Sequence, residues 1–575
     1  MTQNTISLAS EVNLRFDPAK YETLKISLDN NIIQVKKYSV IYVANPVRFR
    51  LEQIGKGGKP QRNANPYVYQ TMNIYLSEYA DRNMNAPIIF MVHNGGWKAS
   101  VVEDSVDEGI RYSGNSNDDL VGAALKAGYV LVDAGTRSRG IIAEDGSFLG
   151  KAPAAVVDAK AAIRYLRLNS DLIPGSTDRI VITGISGGGA LSVAIASSGN
   201  SPDYYPYLSE VGAAGISADG TSSLRDDVFA TIAYCPITDL ANADAAYEWQ
   251  YAATRLIKSD YYASLNGDYQ FLPEPPPQGP PDSQPPDKHK YYDSLILSPQ
   301  QKEASDRLSE AYIRYFDSLD LKREDGTPLT ADNLPEVIIE LVTAEINRVL
   351  VSGSAHPCVP DLGEDFILTI KRGPGGPKKP GELSDDPPPY NLAIKNEWLK
   401  LSADRKSVEC VDYEKYLDFV ASIQALKPVP SFDQGDVSQG GESNLFGTPS
   451  QIYSNFTAWS WDHNASKGDG IGKEDTGMSF DEYLETTDGK ELKAQLKLTS
   501  PIPYLSSGSV KTAPYWYVRH GIRDRDTAFA IEVELYYMIK SQPQVKDINF
   551  KFTWLNGHAG NYDVQEAFSW LADIL

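Results

Sequence analysis

The sequence predicts an α/β fold in which a mostly parallel sheet is interrupted by one large, mainly helical insertion. Two observations carry this. Near both ends of the chain, short continuously apolar runs alternate with segments of helical period, the pattern of strands buried on both faces and joined by right-handed βαβ crossovers. Between residues 237 and about 499 that alternation stops, and helix-like stretches and proline-rich segments replace it. The chain therefore divides into residues 1–236, an insertion over 237–499, and residues 500–575, with the outer two parts sharing one sheet.

In chain order, residues 31–48 and 68–78 carry alternating or apolar runs (Val40 to Val43, Met72 to Leu76) that suit early antiparallel strands. Ala86 to Val92 is a buried strand ending in His93-Asn-Gly-Gly-Trp. Asp118 to Ala127 reads as helix and Tyr129 to Val132 as another buried strand. A helix follows Pro153, with Val156, Ala159, Ile163 and Leu166 on one face. Ile180 to Ile182 is a strand, Ala190 to Ala196 a helix, and Val228 to Tyr234 a further strand. Within the insertion, Gln300 to Leu319, Pro335 to Leu350 and Tyr413 to Leu426 read as helices. Leu272 to Pro286 and Gly373 to Pro389 lack backbone donors and read as exposed loops, a proline-binding partner being the alternative. The rhythm resumes with strand Tyr515 to Val518, helix Ala528 to Ile539, strand Ile548 to Trp554 and helix Val564 to Ile574. The absence of an internal repeat argues against a propeller or solenoid.

Composition narrows the partners. Fifty-four basic against 76 acidic residues give a net charge of −22, which argues against nucleic acid and anionic membranes. No stretch reaches the roughly 18 apolar residues of a membrane span, and the N-terminus lacks the pattern of a signal peptide, so a soluble, cytoplasmic protein is expected. Three cysteines, Cys235, Cys358 and Cys410, do not make a disulfide framework. A Cys358–Cys410 bridge is one option, free thiols the other.

The chemistry centres on Gly184-Ile-Ser-Gly-Gly. A G-x-S-x-G run between a buried strand and a helix is a nucleophile turn: it projects the Ser186 hydroxyl at a helix N-terminus, where the next backbone N–H can meet an oxyanion. The second oxyanion donor is expected from His93-Asn-Gly-Gly-Trp, through Gly95 or Gly96. A serine nucleophile needs a base and a group to orient it, in the chain order Ser, acid, His where the fold is an α/β-hydrolase. Asn556-Gly-His-Ala-Gly follows the last strand and offers His558 as base. His520-Gly-Ile-Arg-Asp-Arg-Asp follows the preceding strand and offers Asp524 or Asp526 as acid, a choice the spacing leaves open. His520 is expected to satisfy a backbone group and His93 to line the pocket. His289, His356 and His463 are weaker candidates. No His/Cys/Asp cluster shows metal-ligand spacing, so no metal is expected.

Many stretches resemble the bacterial tannases, tannin acyl hydrolases of the α/β-hydrolase fold that split galloyl esters. They include Asn94-Gly-Gly, Gly128-Tyr-Val-Leu-Val-Asp-Ala-Gly-Thr-Arg-Ser-Arg-Gly, Asp158-Ala-Lys-Ala-Ala-Ile-Arg-Tyr, Gly184-Ile-Ser-Gly-Gly-Gly-Ala, Ala233-Tyr-Cys-Pro-Ile and Ala246-Tyr-Glu-Trp-Gln. Val429-Pro-Ser-Phe-Asp-Gln, Asn444-Leu-Phe-Gly, Arg519-His-Gly-Ile-Arg-Asp-Arg-Asp-Thr and Gly557-His-Ala-Gly-Asn-Tyr-Asp extend the likeness through the insertion to the end. The resemblance implies a triad of Ser186, Asp524 and His558, with oxyanion donors at the Gly96 and Gly187 N–H groups. It implies that Lys427, Glu442 and Asp526 grip the phenolic hydroxyls of the galloyl ring, carboxylates accepting from phenols and the ammonium stabilising a partly ionised one.

Two departures stand out: Gln434 to Glu442 is about one residue longer than expected, and the proline-rich loops with Lys378-Lys379 add material to what would be a lid. The expected activity is hydrolysis of galloyl or related phenolic esters without a cofactor. The same chemistry on feruloyl or other aromatic esters is the near alternative. A proline-specific peptidase and a non-catalytic binding protein of the same fold are the distant ones.

Overall fold

A computed structural model describes residues 12–575 apart from 51, 55–59, 63–64, 82, 218, 274, 276–286, 353–358, 371–389 and 435–440. Cys358, His356, Lys378-Lys379, the Gly373–Pro389 loop and most of the Leu272–Pro286 and Gln434–Glu442 segments therefore lie outside the described residues.

Ten strands form one sheet. They are β1 (Glu22–Leu28), β2 (Asn31–Ile41), β3 (Thr71–Ser77), β4 (Ile88–Met91), β5 (Arg111–Tyr112), β6 (Val130–Ala134), β7 (Ile180–Ile185), β8 (Ala230–Tyr234), β9 (Tyr515–Gly521) and β10 (Asp547–Thr553). Their order is β10-β9-β8-β7-β4-β6-β3-β2-β1-β5. The six strands from β10 to β6 run parallel, and β3, β2 and β1 continue the sheet antiparallel. This is the expected fold class. Strand β1 was not anticipated, although Leu24, Ile26 and Leu28 alternate with exposed residues as a half-buried strand should.

Alternation along the central strands decides the two cores. Ile88 and Phe90 join Ile180 and Ile182 on one face, while Ile89, Met91 and Val181 point to the other. Helices α1 (Leu120–Lys126) and α9 (Val564–Ile574) cover the smaller core. The larger is covered by α2 (Ala154–Leu168), α3 (Gly187–Ser197) and α8 (Phe529–Lys540). It continues without a break into the insertion through Tyr312 and Phe316 of α5 (Pro299–Ser318), Val342 of α6 (Leu334–Ser352) and Phe419 of α7 (Tyr413–Ile423).

The insertion opens with α4 (Leu240–Ser264), a 25-residue helix packed along α5. It is not helical throughout: Asp365–Ile370 pairs with Tyr390–Lys395 and Leu399–Leu401 with Val408–Val411 in two small antiparallel sheets. These runs are short and partly exposed, so they lack the long apolar signal of the central strands. No described helix is long and apolar enough to cross a membrane.

Candidate active site

Ser186 caps α3 directly after β7, with φ 61° and ψ −123°. That backbone region is costly for a residue with a side chain and persists only where its surroundings over-determine it. Here they do: the Ser186 N–H donates to Tyr234 O at 2.9 Å, and its carbonyl accepts from Ile237 at 3.3 Å. Gly187 has no room for more than hydrogen, because a Cβ there would lie 2.3 Å from both Asn94 O and Trp97 N and 3.0 Å from Gly96 N. The same closeness sets the Gly187 and Gly96 backbones side by side. Gly96 lies in a tight turn over Gly95–Trp97 with φ 58°, held by the Trp97 indole N–H on Ile237 O at 3.2 Å and by Thr136 Oγ1 on the Asn94 side chain at 2.9 Å.

The other two members hang from β9 and β10. His558 Nε2 is 2.8 Å from Ser186 Oγ, and His558 Nδ1 is 2.8 Å from Asp524 Oδ2. Asp524 is fully buried, and its second oxygen accepts the Asp526 N–H at 2.8 Å. The two loops are stitched together: Arg523 N–H donates to Asn556 O at 3.1 Å, and a Cβ on Gly521 would strike Asn556 O at 2.1 Å. Burial works against charge on both partners, yet each outweighs it for the other. The His558 and His520 imidazoles hold the Asp524 carboxyl at about 2. Asp524, with the Cys235 thiol, holds the His558 imidazole well above its ordinary value. A line of Asp, His and Ser at these distances can lift a proton from the hydroxyl and stabilise the resulting imidazolium.

Two neighbours, Cys235 and Glu532, had no assigned part, and a third, His520, is placed differently from its expectation. Cys235 is buried with φ 38°, and its thiol donates to Ala559 O at 3.3 Å, backing the loop that carries His558. The Cys235 sulfur, the Asp524 carboxylate and a His558 ring nitrogen lie within 4.8 Å of one another. A metal ion there would have to break the Asp524–His558 and Cys235–Ala559 hydrogen bonds, and linear spacing gave no hint of the cluster. The expectation for His520 is corrected: among the described residues neither ring nitrogen bonds to backbone. Its Nδ1 instead faces Glu532 Oε1 at 3.4 Å and Asp524 Oδ2 at 3.6 Å, with all three side chains fully buried. This second acid–imidazole pair sits behind Asp524, and burial raises the Glu532 carboxyl. Glu532 opens α8, and only folding brings its first turn beside the end of β9. His93 Nε2 lies 3.4 Å from Asp133 Oδ2, and His463 stacks on Trp459 inside the insertion.

Of the ring-binding candidates, Glu442 is the most enclosed, 6% exposed, with Oε1 3.3 Å from Arg139 Nη2 and 4.0 Å from where a Cβ on Gly96 would stand. Burial pushes its carboxyl up, while Arg139, Lys427 and Lys98 pull the other way. The half-buried Lys427 places its ammonium 4.1 Å above the Phe432 ring. Asp526, half-buried on the acid loop, has Oδ1 2.9 Å from Arg525 Nη1. Tyr247 of α4 ties these segments together: its hydroxyl donates to Arg525 O at 2.7 Å and accepts the Lys427 N–H at 3.1 Å. Asp244, one helical turn earlier, accepts the Phe432 and Asp433 N–H groups at 2.6 and 3.0 Å. Glu442 N–H then donates to Phe432 O at 2.8 Å. Lys151 was also missed; it is buried, pushed down to about 7, and anchors Asn444 and Ile452 by their carbonyls.

Comparison with known proteins agrees with this architecture. The BD-FAE family model matches residues 72–266, which contain all but the first residue of β3, strands β4 to β8 and the turn at Ser186. No curated protein matches the chain. Among solved structures, a Fusobacterium nucleatum tannase is 27% identical with a TM-score of 0.68, covering 98% of this chain and 100% of its own. A tannin acyl hydrolase from Lactobacillus plantarum is 25% identical with a TM-score of 0.69, covering 97% and 98%. A tannin acyl hydrolase in complex with ethyl gallate is 25% identical with a TM-score of 0.68, covering 98% of each chain. Because the likeness runs through the insertion as well as the sheet, the chain is a tannase-like carboxylic ester hydrolase of the α/β-hydrolase fold.

Proposed function

We propose that the protein hydrolyses galloyl and related phenolic esters through an acyl-enzyme on Ser186. The observation that carries this is the unbroken hydrogen-bonded line Asp524–His558–Ser186, at 2.8 Å for each link, ending beside the Gly96 turn. Ser186 Oγ attacks the ester carbonyl as His558 Nε2 takes its proton, and Asp524 stabilises the imidazolium. The tetrahedral oxyanion rests on the Gly96 and Gly187 N–H groups. His558 returns the proton to the leaving alcohol, and water repeats the sequence to release the free acid. None of these steps calls for a metal or cofactor.

The ring is the basis of selection. Glu442 and Asp526 accept from ring hydroxyls while Lys427 stabilises a partly ionised one. Both Lys427 and Glu442 come from residues 237–499, which we assign as the lid over the site. Similar solved structures of tannin acyl hydrolase hold ethyl gallate and 3,4-dihydroxybenzoate, ligands with adjacent phenolic hydroxyls. A site built to pair with hydroxyls should reject a methoxylated ring, because its own buried polar groups are left unmatched.

The test compares methyl gallate with methyl ferulate for wild type and Asp526→Asn. Wild type should favour gallate by about 10²-fold or more in kcat/KM, and the variant should lose most of that preference while still cleaving 4-nitrophenyl acetate. Equal turnover of ferulate would leave the triad standing and remove the galloyl assignment.

A further inference from the structure

Arg139 follows β6 and packs beside the Gly96 turn, where its carbonyl accepts the Ala99 N–H at 3.0 Å. Its guanidinium is almost enclosed, 7% exposed, and reaches four acceptors. Nε donates to Gly96 O at 2.6 Å, Nη1 to the Asn444 side chain at 2.8 Å and to Gly441 O, and Nη2 to Glu442 Oε1 at 3.3 Å. Thus a single rigid fork grips the peptide following the expected oxyanion donor and both flanks of the carboxylate expected to read the ring. These parts come from the sheet domain and the insertion, 303 residues apart between Arg139 and Glu442.

We propose that Arg139 is a positioning residue that couples ring recognition to the oxyanion turn. This rests on the galloyl reading of Glu442 given above. Two physical facts make the guanidinium suited to the task. It is planar and positively charged, so it opposes the upward push of burial on the nearly buried Glu442 carboxylate, whose oxygen it holds where a phenolic hydroxyl could donate. Its donors also diverge in fixed directions, so Gly96 and Glu442 cannot shift independently. A ring seated on Glu442 is then delivered with its ester carbonyl in register with the Gly96 N–H. Loss of that register appears in kcat, because it misplaces the transition state more than it weakens ground-state contact. A lysine in the same place keeps the charge but cannot span the four acceptors.

The experiment measures kcat and KM of wild type, Arg139→Lys, Glu442→Gln and the double variant on methyl gallate and on 4-nitrophenyl acetate, with Tm alongside. Arg139→Lys should lower kcat on methyl gallate by about 10²-fold with KM changed by only about threefold. On 4-nitrophenyl acetate, which has no ring hydroxyls, the loss should stay near tenfold, reporting the Gly96 arm alone. On methyl gallate the double variant should be no worse than the poorer single variant within about threefold, because both changes break one link. Losses that multiply, equal losses on the two esters, or wild-type behaviour of Arg139→Lys would each overturn the coupling. If Arg139→Gln is made and does not fold, the lysine variant still decides the matter. Silence of Glu442→Gln on methyl gallate would instead remove the galloyl reading at Glu442. A costly Glu442→Gln beside a silent Arg139→Lys leaves that reading intact and removes only the coupling.

Discussion

Ser186, Asp524 and His558 stand at the carboxyl ends of β7, β9 and β10, whereas Lys427 and Glu442 come from the insertion and only Asp526 shares a loop with the first group. The first set is held by parallel strands of one sheet, with β8 between β7 and β9, whose spacing is set by backbone hydrogen bonds, and two links of 2.8 Å join the side chains. The second set is held at one remove, through Tyr247, Asp244 and Arg139, each an intermediary from another element. Atoms proposed to make and break bonds therefore depend on the sheet, and atoms proposed to choose the substrate depend on the docking of the insertion. Chemistry and selectivity should be separable by mutation.

Ser186→Ala should give the largest effect, a fall in kcat of about 10⁵-fold on methyl gallate and 4-nitrophenyl acetate alike. A variant that kept activity on either ester would place the nucleophile elsewhere. Asp524→Asn should cost about 10⁴-fold, again on both esters, since it leaves the imidazole in the wrong tautomer; a loss confined to methyl gallate would move Asp524 into the recognition set.

The pH profile sharpens the same division. Asp524 and Cys235 hold the His558 imidazole above its ordinary value. The base works only when neutral, so kcat/KM should climb with pH through a midpoint above about 6.5, the unperturbed value. A raised pKa keeps the proton on His558 to higher pH, and activity is lost below it. The midpoint should be the same for both esters, and it should drop in the residual activity of Asp524→Asn. A midpoint that differs between the esters would mean a recognition group is being titrated. The smallest effect is expected for Tyr247→Phe, which removes the hydroxyl shared by Lys427 N–H and Arg525 O. KM for methyl gallate should rise about fivefold, the worth of about one hydrogen bond, with 4-nitrophenyl acetate unchanged. An equal loss on both esters would show that α4 supports the triad loop rather than the ring site.

The parts of the site differed in how legible they were, for reasons visible residue by residue. Ser186 could be read because everything that makes its turn is local: strand, small neighbours and helix occupy one stretch. His558 could be read from its place just past the last strand. Asp524 and Asp526 could not be told apart by spacing, since both lie on one loop. Their side chains part in space, Asp524 turning under the imidazole and Asp526 toward Arg525. His520 was misjudged because its partners, Glu532 on α8 and Asp524 across the turn, meet it only after α8 packs on the sheet. Arg139 stood in a stretch already recognised for its likeness to the tannases, yet two arginines after a buried strand say nothing about acceptors some 300 residues away.

By itself the sequence determined the periodic elements, the parallel α/β sheet, the strand–turn–helix at Ser186 and the interruption by an insertion, because these follow from the spacing of apolar residues and from turn chemistry within a few residues. Residue spacing left open which acid lies beneath the imidazole, and the structure places Asp524 there; tertiary structure alone decided that Cys235 and Glu532 back the Asp524–His558 pair and that Glu442 sits against Arg139 beside the Gly96 turn. Those outcomes rest on contacts between segments distant in the chain. Their partners are chosen by packing and by the cost of burying an unpaired charge, and no local pattern encodes them.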